Sequence, residues 1–291
     1  MKSRKIRGSL MLVLAAFIWG NAFVAQSVSM KYIGPWTFNC IRSLIAGFSL
    51  LILIPFLDKV RGVTGKKLNQ TILWKGGILT GIVLCAASIF QQTGIQYTTV
   101  GKAGFLTALY TVIVPVLGIL IGRKTRPVVW ISVGISVIGM YLLTMNGSFS
   151  LSRGDLLVLI CAFLFAIHIL MIDHFSPLTD GVRLSCIQFF TAGILSFVPM
   201  LTEHPDMSEI VKAWMPVLYA GVFSSAGGYT LQILGQKDAD PAVASMLLSL
   251  ESVFSALAGF FFLHQSMSVR EIAGCAMIFA AIVLAQMPQQ T

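Results

Sequence analysis

Ten apolar stretches joined by short connections make up most of this chain, near residues 8–28, 35–57, 76–95, 100–121, 127–145, 155–172, 183–201, 213–234, 241–263 and 269–287. A helix rises about 1.5 Å per residue and a bilayer's hydrocarbon core is about 30 Å thick, so each stretch is long enough, or nearly so, to cross one. The shorter ones predict tilt or a thinned rim. Inside lipid a continuous apolar run satisfies its own backbone only as a helix. Of 291 residues, 56% are hydrophobic and 11% charged, against about 25% charged in soluble domains. The reading is an all-α membrane protein with ten transmembrane helices and the lipid bilayer as its main solvent.

Helix starts are marked. Pro35, Pro127 and Pro241 stand where a first turn has no use for a backbone N–H, and Asp240 precedes Pro241 as an expected N-cap. The opening MKSRKIR run could begin a signal peptide, but no convincing small-x-small cleavage site follows, so residues 8–28 are read as the first span. The net charge of +9 lies mainly in the connections and does not call for nucleic acid. With the N-terminus inside, the inner segments carry Lys2, Arg4, Lys5, Arg7, Lys59, Arg61, Lys66, Lys67, Lys75, Arg123, Lys124, Arg126, Arg183 and Lys237. The outer side carries only Lys31, Lys102, Arg153, Lys212 and Arg270. That bias predicts both termini in the cytoplasm.

The chain also repeats itself. Gly81, Cys85, Ser88 and Gln92 match Gly221, Ser225, Gly228 and Gln232 at an offset of 140, on one small, polar helix face. Leu109, Tyr110 and Gly118 match Leu250, Glu251 and Gly259 at 141. Cys40-Ile41 and Ala46-Gly47 match Cys186-Ile187 and Ala192-Gly193 at 146, and Gly8 matches Gly154. Gly134 matches Gly274 at 140. Two halves follow, residues 1–146 and 147–291, with five spans each. An odd number of spans makes the second half enter the membrane from the opposite side. Such inverted repeats place a binding site between them near the midplane.

The stretches LAAFIWGNAFV at 14–24, FNCIRSLIAG at 38–47, GFLTALYTVIVPVLG at 104–118 and LLSLESVFSALAGFFFLHQ at 247–265 resemble the drug/metabolite transporter superfamily, EamA-like branch. The resemblance covers nearly all of both halves. It implies a ten-helix transporter of small metabolites, often amino acids and often outward. Two departures stand out. Ser252 replaces a proline that usually follows the glutamate, which removes an expected kink, and Gln265 replaces a glutamate at the end of the ninth helix.

Charges inside a bilayer cost several kcal/mol unless they face a cavity or a partner. Glu251 stands ten residues into the ninth span and Tyr110 ten residues into the fourth, so repeat-equivalent positions meet near the midplane. Arg42 lies about 10 Å deep in the second span, and its counterpart Gln188 keeps polarity without charge. Arg42 either snorkels to the outer interface or offers a cavity a bidentate carboxylate site. Lys102, in a first turn, is expected to snorkel. Gln92 and Gln232 are candidates for substrate contact or for interhelical glue. Trp19 and Tyr229 suit stacking on a solute. Glu251, with His168 as a second candidate, is the expected proton carrier.

Motifs for nucleotide hydrolysis, metal-dependent or serine hydrolysis are missing, and no cofactor or metal is expected. The five cysteines, Cys40, Cys85, Cys161, Cys186 and Cys275, sit within apolar runs without a C-x-x-C pair. The function expected is secondary transport, outward, of small organic metabolites such as amino acids, by alternating access across the cytoplasmic (inner) membrane. Efflux of cationic or aromatic drug-like compounds is the alternative, and an intramembrane enzyme the remote one. The G-x-x-x-G pairs Gly77/Gly81 and Gly118/Gly122 suit packing within the bundle or a dimer face, so the chain is expected to act as a monomer or homodimer with a small-molecule substrate.

Overall fold

The computed structural model describes residues 2–61, 69–144, 152–263 and 268–287. Among these, every regular element is helical. The first half forms α1 (Lys2–Ser29), α2 (Pro35–Arg61), α3 (Gln70–Ile95), α4 (Val100–Ala108), α5 (Tyr110–Leu120) and α6 (Pro127–Thr144). The second forms α7 (Arg153–Phe175), α8 (Gly181–Thr202), α9 (Met207–Lys212), α10 (Trp214–Leu218), a π-helix (Tyr219–Tyr229), α11 (Thr230–Gln236), α12 (Pro241–Leu248), α13 (Glu251–Leu263) and α14 (Val269–Gln286).

Eight stretches of the described residues are long and apolar enough to cross a membrane, and Pro127–Leu143 is a shorter apolar helix. The eighth expected span, near 213–234, is helical but divided into α10, the π-helix and α11, and so does not count as one uniform span. The chain is a multi-pass membrane protein. Its surface is apolar, with Leu120 at 77% and Ile52 at 76% exposure, while Arg42 and Glu251 inside are each 4% exposed.

The expected helix starts are where prolines and caps put them. α2, α6 and α12 begin on Pro35, Pro127 and Pro241, and the Asp240 carboxylate accepts from Ala242 N–H. α1 begins earlier than expected, at Lys2, and α3 earlier, at Gln70, after an Asn69 cap.

Two spans are interrupted at matching places. α4 gives way to α5 at Leu109, and α12 to α13 at Ser249–Leu250. Each break is a tightened turn: Leu109 N–H reaches Leu106 O at 3.3 Å, and Leu250 N–H reaches Leu247 O at 3.3 Å. Ser252 therefore does not cost the second half its break. Ser249 Oγ donates to Met246 O at 2.7 Å and supplies a local competitor for the backbone ladder. Gln265, the other departure, lies outside the described residues.

Glycines set the helix crossings. A Cβ on Gly8 would stand 2.9 Å from Gly235 O, and one on Gly154 would stand 2.7 Å from Gly94 O. Gly77 and Gly81 pack on Ile187, Gln188 and Thr191 of α8, so that G-x-x-x-G pair works inside the bundle. Gly122 ends α5 with φ +81°, a conformation other residues rarely adopt. α6 and α14 pack against each other, with a Cβ on Gly274 falling 2.5 Å from Gly139 O. Gly134, the sequence match of Gly274, meets nothing within 4 Å among the described residues.

Ion pairs tie the helix ends. Lys102 Nζ meets Asp155 at 2.5 Å, where Thr98 Oγ1 also donates at 2.7 Å, so Lys102 is paired rather than snorkelling freely. At the other end Arg183 pairs with Asp58 at 2.5 Å, and Arg123 with Asp173. Glu203 accepts from the N–H groups of Trp36 and Thr37, at 3.0 and 2.8 Å, at the start of α2. A carboxylate there suits the positive end of the helix.

Candidate functional site

A central cavity is walled by residues of both halves. Its first-half wall carries Trp19, Phe23 and Gln26 of α1, Arg42 of α2, Gln91 of α3, Thr107 of α4 and Tyr110 of α5. Its second-half wall carries Phe165 and Ile169 of α7, Ser224 and Tyr229 of the π-helix, Gln232 of α11, Leu248 of α12 and Glu251 of α13. α6 and α14 contribute none of these residues.

The two interruptions bring chemistry to the cavity. Tyr110 and Glu251 are the first residues after each break, and the Tyr110 hydroxyl donates to Glu251 Oε1 at 3.0 Å. Both are buried. A broken helix places a polar end at membrane depth, which is tolerated where it faces a cavity.

Arg42 is buried and points into the cavity, so the snorkelling alternative gives way. Its Nε and Nη2 donate to Asn39 Oδ1 at 3.2 and 3.1 Å. The Asn39 amide donates in turn to Ser196 Oγ at 2.9 Å. The guanidinium carbon lies 5.3 Å from the centre of the Phe38 ring, within cation–π range. No carboxylate among the described residues lies within ion-pair distance of Arg42, although Glu251 lines the same cavity. With one edge of the guanidinium held by Asn39, the N–H groups of its Nη1/Nη2 end remain to receive an acidic group from outside the protein.

Aromatic rings join the two walls. Trp19 and Tyr229 have centroids 4.7 Å apart. Trp19 Nε1 donates to Ser224 O at 3.0 Å, which fixes its ring against the π-helix. Gly228 makes room there, since a Cβ on it would fall 2.4 Å from Trp19 Nε1.

Of the expected site residues, Trp19, Arg42, Tyr110, Tyr229, Gln232 and Glu251 line the cavity. Gln92 does not: its amide donates to Gln26 O at 3.3 Å, as interhelical glue. Its neighbour Gln91 lines the cavity and donates to Thr107 Oγ1 at 3.2 Å. One helical step is about 100°, so only one of two adjacent amides can face inward. His168 is also outside the lining. It is fully buried, with Nε2 3.1 Å from Gln188 Oε1. The sequence does not single out Gln26, Gln91, Thr107 or Ser224: Gln26 near a helix end reads equally well as surface, and Gln91 cannot be told from Gln92 without the packing of α3.

A larger space lies at one end of the bundle, beside Lys5, Arg126 and Asp240. Arg126 there is committed to Ala285 O at 2.9 Å and Asp240 to its cap, so these groups serve the fold.

Comparison with known proteins agrees with this architecture. The model of the EamA-like transporter family matches residues 6–145 and again residues 152–287. An uncharacterized transporter of Archaeoglobus fulgidus is 29% identical over 97% of this chain and 86% of its own length. The uncharacterized inner membrane transporter YedA of Escherichia coli is 22% identical over 92% of this chain and 86% of its own. A WAT1-related chloroplastic protein of Arabidopsis thaliana is 24% identical over 96% of this chain and 69% of its own. One crystal structure superposes with a TM-score of 0.78 at 17% identity over 96% of both chains, so the fold is shared. With both halves matched by the same family model, the chain belongs to the EamA-like transporter family.

Proposed function

We propose that this transporter carries a small amphoteric solute, such as an amino acid, outward across the inner membrane by alternating access. The single observation that carries the reading is the Arg42 guanidinium, held by Asn39 but without a carboxylate partner among the described residues, in a cavity that also holds the Tyr110–Glu251 pair. A carboxylate would accept from Arg42 in the bidentate manner. An ammonium group would be drawn to the opposite, carboxyl-bearing wall. The rings of Trp19, Phe23, Phe165 and Tyr229 would enclose the apolar remainder. The same rings favour a second reading, a cationic aromatic compound, which would dispense with Arg42.

In this reading ten helices form two inverted repeats, residues 1–146 and 147–291, with both termini in the cytoplasm. Contacts that exchange between the halves support it. Cys40 Sγ donates to Gly193 O at 3.5 Å, and its counterpart Cys186 Sγ donates to Gly47 O, counterpart of Gly193, at 3.5 Å. The Gly8–Gly235 crossing has its mate in Gly154–Gly94. Helices α6 and α14 would brace the outside, and the bundle would work as a monomer or homodimer.

A thermal-shift screen of the purified protein against a metabolite library tests the substrate class. A ligand at 100 times its Kd stabilises the folded form by about 2.7 kcal/mol. Amino acids are expected to raise Tm in the wild type, and Arg42→Gln to abolish that shift while leaving shifts by uncharged or cationic aromatics. Equal loss for every ligand class would assign Arg42 a structural role.

A further inference from the structure

Gln26 stands three residues from the end of α1 at Ser29, and Gln91 four from the end of α3 at Ile95, so the cavity reaches close to that end of the bundle, while Gln232, four residues from the end of α11 at Gln236, lines it on the other side. Arg42 lies toward the Ser29–Pro35 end, seven residues after Pro35. Its repeat counterpart Gln188 lies seven residues after Gly181, which starts α8 at the opposite end. Both are therefore about 10 Å from their own ends.

The two positions make the same contacts with the halves exchanged. Gly221 of the π-helix packs on Arg42, with its Cβ position 3.1 Å from Arg42 O. Gly81 of α3, the counterpart of Gly221, packs on Gln188, with its Cβ position 2.7 Å from Gln188 O. One position is open to the cavity and the other is sealed: Gln188 and His168 are both 0% exposed. Yet the sealed pair is not satisfied. With Gln188 Oε1 turned to it, the His168 ring donates from Nε2, which leaves Nδ1 a bare acceptor. Neither His168 Nδ1 nor Gln188 Nε2 has a hydrogen-bond partner among the described residues. Buried polar atoms without partners cost about 1–3 kcal/mol each.

We propose that His168 and Gln188 form the solute contact of the opposite-facing state, the counterpart of the Arg42 contact. A carrier of two related halves reaches its other state when the halves exchange conformations. Gln188 then lines a cavity open at the end that carries the turn between α7 and α8, and Arg42 is covered. The orphaned acceptor and donor take up the polar groups of the same small solute. Because Gln188 has no charge, this contact works by neutral hydrogen bonds, in contrast with the ionic contact at Arg42. The inference rests on the carrier reading given above and adds where the solute sits in the second state.

The test needs no identified substrate. In a version with all five cysteines replaced, single substitutions Arg42→Cys, Gln188→Cys and His168→Cys are exposed to membrane-impermeant trimethylammonium-ethyl methanethiosulfonate. Right-side-out and inside-out vesicles present each face in turn. Gln188→Cys and His168→Cys are expected to react from the face that carries Arg183, and Arg42→Cys from the other face only. If Arg42→Cys reacts from its face while positions 168 and 188 react from neither, or from the same face as position 42, the proposed second contact is wrong and the cavity reading stands. If Arg42→Cys is unreactive from both faces, the carrier reading fails and this inference with it. Size-exclusion elution like that of the wild type shows that each variant is folded, and the two positions 168 and 188 give independent readings.

Discussion

Arg42 owes its position to Asn39, whose carboxamide faces two ways. Its oxygen accepts two guanidinium N–H groups, and its nitrogen donates to Ser196 on α8. Asn39→Leu is expected to leave these buried donors and acceptors without partners, at about 1–3 kcal/mol, read as a lower Tm in detergent. The same variant is expected to weaken carboxylate-bearing ligands more than neutral ones, because the guanidinium loses its aim. An unchanged ligand profile would mean that Asn39 only supports the fold. At this scale the sequence carried a good deal. Arg42, Tyr110 and Glu251 stood out because charge or a hydroxyl at membrane depth is costly. Gln91 did not, because Gln91 and Gln92 are equally polar and only the packing of α3 decides which one turns inward. Asn39 was invisible for a related reason: its role depends on Ser196, which is 157 residues away.

At the scale of elements, helix starts were legible wherever chemistry marks them, as at Pro35, Pro127 and Asp240-Pro241. The π-helix at Tyr219–Tyr229 was not. Nothing in a run of small residues separates a wide turn from a regular one, and the wide turn accompanies the Trp19 bond to Ser224 O, made by a different helix. The breaks at Leu109 and Ser249–Leu250 were marked only indirectly, by the repeat that pairs Leu109-Tyr110 with Leu250-Glu251. α6 offers a clean test of how crossings are set. Gly139→Leu would place a Cβ 2.8 Å from Gly274 O and push α14 away, at a cost of about 1–3 kcal/mol. Gly134→Ala on the same helix meets open space and is expected to stabilise by about 0.5–1 kcal/mol. Thermal unfolding of the two variants in parallel checks the sign. Equal effects would remove the close approach at Gly139 as the determinant of the α6–α14 crossing.

For the whole molecule, the two walls of the cavity come from different halves, so any motion of one half against the other changes the cavity. Glu251 is where such motion meets a titratable group, since its hydrogen bond to Tyr110 spans the halves. If proton exchange at this carboxyl drives accumulation, Glu251→Gln loses gradient-driven uptake into inside-out vesicles while keeping solute exchange. Glutamine keeps the size and the hydrogen bonding but cannot titrate. Normal accumulation by Glu251→Gln, with its pH dependence intact, would exclude coupling through this residue. The most direct measurement of the central claim is counterflow in liposomes. Purified protein is reconstituted, the liposomes are loaded with unlabelled amino acids, and labelled amino acid is added outside. A carrier with an Arg42-centred site predicts a saturable, transient overshoot of label that is absent with Arg42→Gln. Flux that never saturates, or chemical conversion of the label in place of counterflow, would contradict it.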